Sequence, residues 1–285
     1  MKKWMIILRA YSWPASLVPV ILGSVIAWRH GQGGFSRLDF VLTLTAALLV
    51  HSAANLANTY FDFRNGVDRR ETADDRGLVD EMMTPRNMLL MALGMFAAGA
   101  AIGFLLAFKN YVPALLWLGA AGFALAWFYT ATGFAYKYRT LGDIGIFFAF
   151  GPCIVGGTAL IQTGAFLPEA LWASIPLGLL IVGIVHANNM RDVKGDTEAK
   201  FTTLAAALGP KGSEKFYYAL IVTPYIFSLT FGSIWPAVFC AVSAPLAVKL
   251  SRLVSKGEFS PLVPETAKLV AVYGLLLSAG LYIAA

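Results

Sequence analysis

From Phe40 to Phe61 the chain places 22 consecutive residues without one Asp, Glu, Lys or Arg. As an α-helix this stretch extends ~33 Å at ~1.5 Å per residue, enough to cross the ~30 Å hydrocarbon core of a bilayer. Similar apolar stretches recur along the chain, and only 13% of its residues are charged, against roughly one quarter in soluble domains. An integral, all-α, polytopic membrane protein is therefore expected, with nine spans, short loops and one domain over residues 1–285. No cleavable signal peptide is expected, because Arg9 and Trp13-Pro14 follow the N-terminal lysines without a small-residue cleavage site.

The expected spans cover residues 11–28, 40–61, 88–108, 112–129, 142–162, 168–189 and 269–283, with two short ones inside the 33-residue uncharged run 216–248. That run would extend ~50 Å as one helix, so a hinge is placed near Gly232 to Pro236. The longest polar segment, 64–86, holds Leu78, Met82 and Met83, spaced for an amphipathic turn over a cavity. Cys153 and Cys240 each sit in apolar runs, which fits packing rather than a disulfide or zinc site.

The net charge of +6 is explained by where the cations fall rather than by nucleic acid, for which no partner role is expected. Of 22 Lys and Arg, only Arg29, Arg37 and Lys109 lie on one side of a nine-span topology, leaving 19 on the other. The positive-inside rule then puts the N-terminus and both acidic loops in the cytoplasm, across the inner membrane in a bacterium.

Two of the spans end in polar faces. Asn58 and Asp62 are four residues apart, as are Asn188 and Asp192, with Asp68 and Asp196 beyond them. Residues at that spacing project from one side of a helix, and carboxylates at the end of a membrane helix mark a functional site by default. Their oxygens suit a hard divalent cation such as Mg²⁺, which uses a carboxylate or two plus phosphate oxygens, and no His or Cys in the motifs favours zinc. Arg64, Lys137, Arg139, Arg191 and Lys194 in the same loops would suit a polyphosphate. Ordinary solvated loop charge is the plainer reading of any one of these residues. His51 and His186 each precede a motif, either as buried neutral imidazoles or as binders of a substrate hydroxyl or carboxylate.

The motifs Asn58-x-x-x-Asp62-x-x-x-x-x-Asp68 and Asn188-x-x-x-Asp192-x-x-x-Asp196 resemble the two aspartate-rich motifs of the UbiA superfamily of intramembrane prenyltransferases. Further segments are similar in order: Arg9 to Ser16, Tyr129 to Lys137, Leu141-Gly142-Asp143, and Thr203-Leu204 through Gly209. The run through Asp62, Asp68 and Asp74-Asp75-Arg76 to Asp80 is most similar to the menaquinone branch, of the MenA and vertebrate vitamin K prenyltransferase type. Thr59 departs from the Asn-Asp-x-x-Asp form common elsewhere.

The resemblance implies nine helices around a central cavity with the motif helices facing each other near the cytoplasmic surface. It implies that Asn58, Asp62, Asp68, Asn188, Asp192 and Asp196 hold Mg²⁺ and through it a polyprenyl diphosphate. Lys137, Tyr129 and Arg191, with Arg64 and Arg76 nearby, would meet the diphosphate. The implied reaction joins the prenyl group to 1,4-dihydroxy-2-naphthoate in menaquinone biosynthesis. Competing readings are another aromatic acceptor such as 4-hydroxybenzoate, or a cation-coupled transporter, whose ion site would lie nearer the membrane midplane.

Overall fold

The computed structural model describes residues 2–31, 34–68, 70, 73, 75–131, 134–198 and 201–284. Asp74, within the segment that carried the family resemblance, lies outside them, as do Arg69 and Lys200 of the charge count and Gly133 of the Tyr129 to Lys137 segment. Helix α1 (Lys2–Ile7) and a 3-10 turn (Ala10–Ser12) lead into α2 (Pro14–His30). Ser36 opens α3 (Arg37–Arg64), its side chain accepting from the Asp39 N–H at 3.2 Å, which satisfies one of the donors that a helix start leaves unpaired. Asp75 caps the short α4 (Arg76–Val79), and Thr84 with Pro85 starts α5 (Pro85–Lys109).

The remaining helices are α6 (Ala114–Phe128), α7 (Gly142–Phe148), α8 (Ile154–Thr163), α9 (Pro168–Glu198), α10 (Leu204–Phe227), α11 (Trp235–Ala241), α12 (Ala244–Ser255) and α13 (Leu262–Ile283). A π-helical turn, Ala149–Cys153, carries α7 into α8 across Pro152, whose ring nitrogen has no hydrogen to donate. An isolated parallel bridge between Arg139 and Thr202 ties the loop after α6 to the segment after α9.

Among the described residues, six stretches are long and apolar enough to cross a membrane: residues 10–30, α3, α5, α7 with α8, α9, and α13. The α11–α12 pair, bent by 49°, adds a seventh if it is one span. Two of the expected nine fall short of that measure. Helix α6 has 15 residues, ~22 Å, and α10 carries Lys211, Glu214 and Lys215 in its first half. The run 216–248 also breaks twice rather than once. Its first break, 228–234, contains Gly232 at φ 71° and overlaps the expected hinge; the second precedes Pro245, where a helix cannot keep its hydrogen bond to the preceding turn.

The main core lies where α2, α9 and α13 meet, filled by Val18, Leu22, Leu177, Leu180, Val270 and Tyr273. Gly274 lets α13 approach α2 there, since a Cβ would come 2.2 Å from Val18 Cγ1. A second cluster joins Ile7, Leu56, Phe61, Leu78, Met88 and Phe96. Leu78 is thus buried, with Met82 and Met83 half-buried against the same cluster, as the amphipathic spacing requires, and taking a side chain such as Leu78 out of water contributes about 1.5 to 3 kcal/mol to docking the loop. Large apolar side chains such as Leu90 and Trp117 cover the outside, as suits contact with lipid.

Candidate active site

Helix α3 presents His51, Asn55, Asn58 and Asp62 at intervals of four, three and four residues, the spacing of one helical stripe. All four line a cavity of about 1250 Å³. Across it α9 contributes Asn188, Asn189, Asp192 and Asp196, and the loop after α6 contributes Lys137. Helices α5 and α6 supply much of the rest with small and apolar residues, among them Gly103, Phe104, Gly119 and Gly122. One part of the cavity is polar and charged; much of the remaining lining is hydrocarbon.

Lys137 Nζ donates to Asp62 Oδ2 at 2.8 Å, and the Tyr138 hydroxyl donates to Asp62 Oδ1. Both residues belong to a 3-10 turn, Tyr136–Tyr138, held by the Lys137 N–H bond to the Tyr129 carbonyl at 3.0 Å and by Tyr138 stacking on Phe201. Burial works against the Lys137 ammonium, but Asp62 with Tyr138 and Asp196 outweighs it, so its pKa stands above the ordinary lysine value. The lysine is therefore a fixed cation.

After α3 the chain turns back through Gly66 at φ 72°, and the N–H groups of Val67 and Asp68 donate to the Asp62 carbonyl at 2.9 and 3.3 Å. This turn carries Asp68 toward Asp62. Burial first, and then the Asp62 carboxylate, push the Asp68 pKa up to about 7. On α9, Arg191 donates to both Asp192 oxygens at 2.8 Å and to Asn188 Oδ1 at 2.7 Å, while Asn188 Nδ2 donates to Asp192 Oδ2 at 3.1 Å. Asp196 is 4% exposed and lines the same cavity.

The oxygens expected to hold a metal do not form one closed cage. Among the described residues no three carboxylate, His or Cys side chains converge as a preformed metal cluster. Asp62 is engaged by Lys137, and Asp192 by Arg191. Asn58 Oδ1 and Asp68 Oδ2, by contrast, are buried with no hydrogen-bond partner among the described residues, a costly state for polar atoms that a cation would relieve. Such a donor set fits a hard divalent ion that completes its shell with phosphate oxygens and water.

Other expected site residues separate. Tyr129 lines the cavity and packs edge-on against Tyr136. His51 is hydrogen-bonded through both ring nitrogens, to Ser12 at 3.1 Å and Ser16 at 2.7 Å, and stays on the cavity wall. His186 does not belong to this wall. Two residues from Asn188 it falls on another face of α9, where it is fully buried, 3.6 Å from Asp143 and edge-on to Phe216. Arg64 is exposed and donates to the Tyr60 hydroxyl, and Arg76 pairs with Asp80 on the loop; neither lines the cavity.

Sequence reasoning assigned no role to Tyr138, or to the group formed by Arg9, Thr59 and Asp75 at the cavity edge. Adjacency to Lys137 is the only local signal for the former.

Residues 16–259 match the UbiA prenyltransferase family. The chain is 35% identical to UbiA prenyltransferase domain-containing protein 1 of Xenopus tropicalis over 99% of its length and 82% of the relative's. Its homologue in Drosophila melanogaster is 35% identical over 97% of this chain and 78% of that protein. Among solved structures, the apo UbiA homolog from Aeropyrum pernix K1 superposes with a TM-score of 0.69 at 21% identity, over 96% of each chain. A UbiA homolog from Archaeoglobus fulgidus, bound to GPP and Mg²⁺, gives 0.65 at 16% identity, over 97% of this chain and 99% of that one. The chain belongs to the UbiA prenyltransferase family.

Proposed function

We propose that this UbiA-family protein transfers a polyprenyl group from an allylic polyprenyl diphosphate to 1,4-dihydroxy-2-naphthoate, or a related naphthoquinol, in menaquinone biosynthesis. The observation that carries the reading is the Lys137–Asp62 pair, set beside orphaned Asn58 and Asp68 oxygens in a cavity whose remainder is largely apolar. A transporter has no need of such a long apolar chamber beside fixed cations.

Mg²⁺ bound to Asn58, Asp62 and Asp68 on one wall and to Asn188, Asp192 and Asp196 on the other would neutralise charge on the diphosphate. In the reaction the bond between the prenyl C1 and the diphosphate oxygen breaks with its electron pair going to diphosphate, and a ring carbon of the acceptor supplies the pair for the new C–C bond. Diphosphate leaves, and the bond between the ring and the acceptor's carboxylate then breaks, its electron pair returning to the ring to restore aromaticity as CO₂ departs. Lys137 and Arg191, now held by Asp62 and Asp192, are positioned to turn to the departing phosphate oxygens. The apolar walls keep water from the allylic cation, as the reaction requires. His51, fixed by Ser12 and Ser16 on the cavity wall, would bind an acceptor hydroxyl.

The 19 to 3 division of cations supports a cytoplasmic N-terminus and active site, with α6 and α10 completing nine spans in a single domain. The resemblance of the first motif to the menaquinone branch favours the naphthoate acceptor over 4-hydroxybenzoate. The test is diphosphate release from geranyl diphosphate in detergent, with and without Mg²⁺, against both acceptors. Turnover confined to 4-hydroxybenzoate would move the protein to the other acceptor class, and none with any aromatic would remove the reading.

A further inference from the structure

At the cavity edge, both oxygens of the Asp75 carboxylate are satisfied by groups of the protein. Its Oδ2 accepts from Arg9 Nε at 2.9 Å and from the Thr59 hydroxyl, and its Oδ1 accepts from the Gly77 N–H at 2.8 Å, capping α4. Arg9 Nη2 closes the triangle by donating to Thr59 Oγ1 at 3.2 Å. Burial alone would raise the Asp75 pKa, but Arg9, Thr59 and the Gly77 N–H hold it below the usual carboxylate range. The contrast is with Asp68 and Asn58 nearby, each of which has an oxygen without a partner among the described residues.

The three residues come from three separate elements. Arg9 joins α1 to the 3-10 turn and is held in the left-handed region at φ 50°, a conformation that a non-glycine residue keeps only where its surroundings hold it. Those surroundings are visible: Asn55 Nδ2 donates to the Leu8 carbonyl at 3.3 Å, and Ser12 Oγ donates to the Arg9 carbonyl at 2.8 Å. Thr59 lies on α3 between Asn58 and Asp62, and Asp75 starts the segment whose Leu78 docks on Ile7.

We infer that Arg9, Asp75 and Thr59 form a latch that anchors segment 75–83 beside the cavity's polar end, where Asp75 itself lines the cavity, and that this latch withholds Asp75 from the metal. Arg9 is in these terms a positioning residue. It fills the anionic valence of Asp75 so that the loop is anchored to the motif helix without adding a carboxylate to the donor site. A loop held in this way excludes water from the reacting end, whereas a released loop admits it.

The inference rests on the prenyl-transfer reading for its activity readouts alone. Its first arm is trypsin cleavage after Arg76 in the intact protein, because the adjoining Gly77 is buried within the latch and cleavage there tracks opening of the segment. Arg9→Ala, Asp75→Asn and Thr59→Val should each speed that cleavage by about tenfold, and the Arg9→Ala/Asp75→Asn double variant should be less than additive. Thr59→Ser, which keeps the hydroxyl, should behave as the unaltered protein. The second arm measures the ratio of prenyl alcohol, formed by water capture, to prenylated product, and the Mg²⁺ concentration at half-maximal rate. The alcohol fraction should rise in all three latch variants while the Mg²⁺ midpoint in Asp75→Asn stays within about twofold. Unchanged cleavage after Arg76 overturns the latch, and a Mg²⁺ midpoint raised about tenfold or more in Asp75→Asn alone makes Asp75 a ligand instead. An inactive protein that still shows the protease pattern refutes the prenyl-transfer reading and leaves the latch standing.

Discussion

Lys137 and Asp62 meet at 2.8 Å although 75 residues separate them, and both side chains are almost wholly buried. The contact joins the turn after α6 to the last turns of α3, the helix that carries the first motif. A cation with no role beyond orienting the chain has no reason to be desolvated against a motif carboxylate. Lys137→Ala should therefore raise KM for the prenyl diphosphate and lower kcat, with kcat/KM falling ~10² to 10³-fold, while the protein still inserts. Lys137→Arg should recover part of the loss. Unchanged kcat and KM in the alanine variant would return Lys137 to the topological charges.

Asp62→Ala and Asp192→Ala should each abolish measurable transfer in a folded protein. Each deletion removes about 3 to 4 kcal/mol of transition-state stabilisation, or ~10² to 10³ in rate. Chelation of divalent ions should silence the unaltered enzyme, and added Mg²⁺ should restore it. Near-normal turnover of either variant at saturating Mg²⁺ is the result that removes the metal assignment.

Topology is tested by reporter fusions at Gly164, after α8, and Gly257, before α13, both exposed turns. The division of cations requires opposite signals, with Gly257 cytoplasmic. Equal signals would break the nine-span arrangement.

The Asn58–Asp62 face of α3 was readable in the sequence because helical spacing is local, and the same spacing extends it to Asn55 and His51, which the sequence reading did not join to it. The same rule sets His186 apart: a two-residue offset from Asn188 rotates its side chain to another face, where it is buried, the first of the two readings its sequence position allows. Arg9, Thr59 and Asp75 were not readable as a group, since the contacts span 50 and 66 residues and no local pattern encodes which loop folds over which helix end. Helix α10 was started too late, at Phe216, because its first half is charged, and hydropathy does not see a helix that begins in polar sequence.

His51 and His186 give a paired prediction. His51→Leu removes hydrogen bonds to Ser12 and Ser16 on the cavity wall, so the acceptor KM should rise about tenfold, with the donor KM little changed. His186 makes no hydrogen bond among the described residues, and His186→Leu should leave both KM values within about twofold. An acceptor KM raised by the His186 variant and not by the His51 variant would reverse their assignments.

On the cavity's α5 and α6 walls Gly103, Gly119 and Gly122 face open space, where a Cβ would meet no atom within 4 Å, so in the proposed reaction tail length should be sensitive to these positions. A leucine at one of these positions places four carbons where a prenyl tail would lie, without first colliding with protein. Each displaced tail carbon forfeits ~0.8 kcal/mol of burial, so blocking one five-carbon isoprene unit should weaken a long-tailed donor by up to about three orders of magnitude. A donor too short to reach the substituted wall loses nothing. Gly103→Leu and Gly122→Leu should therefore leave KM for geranyl diphosphate near its starting value and raise it for a donor of four or more isoprene units. The comparison is made within each variant, which cancels any general loss of folded protein. Equal KM ratios for short and long donors, before and after substitution, would mean that the tail leaves the polar end by a different route.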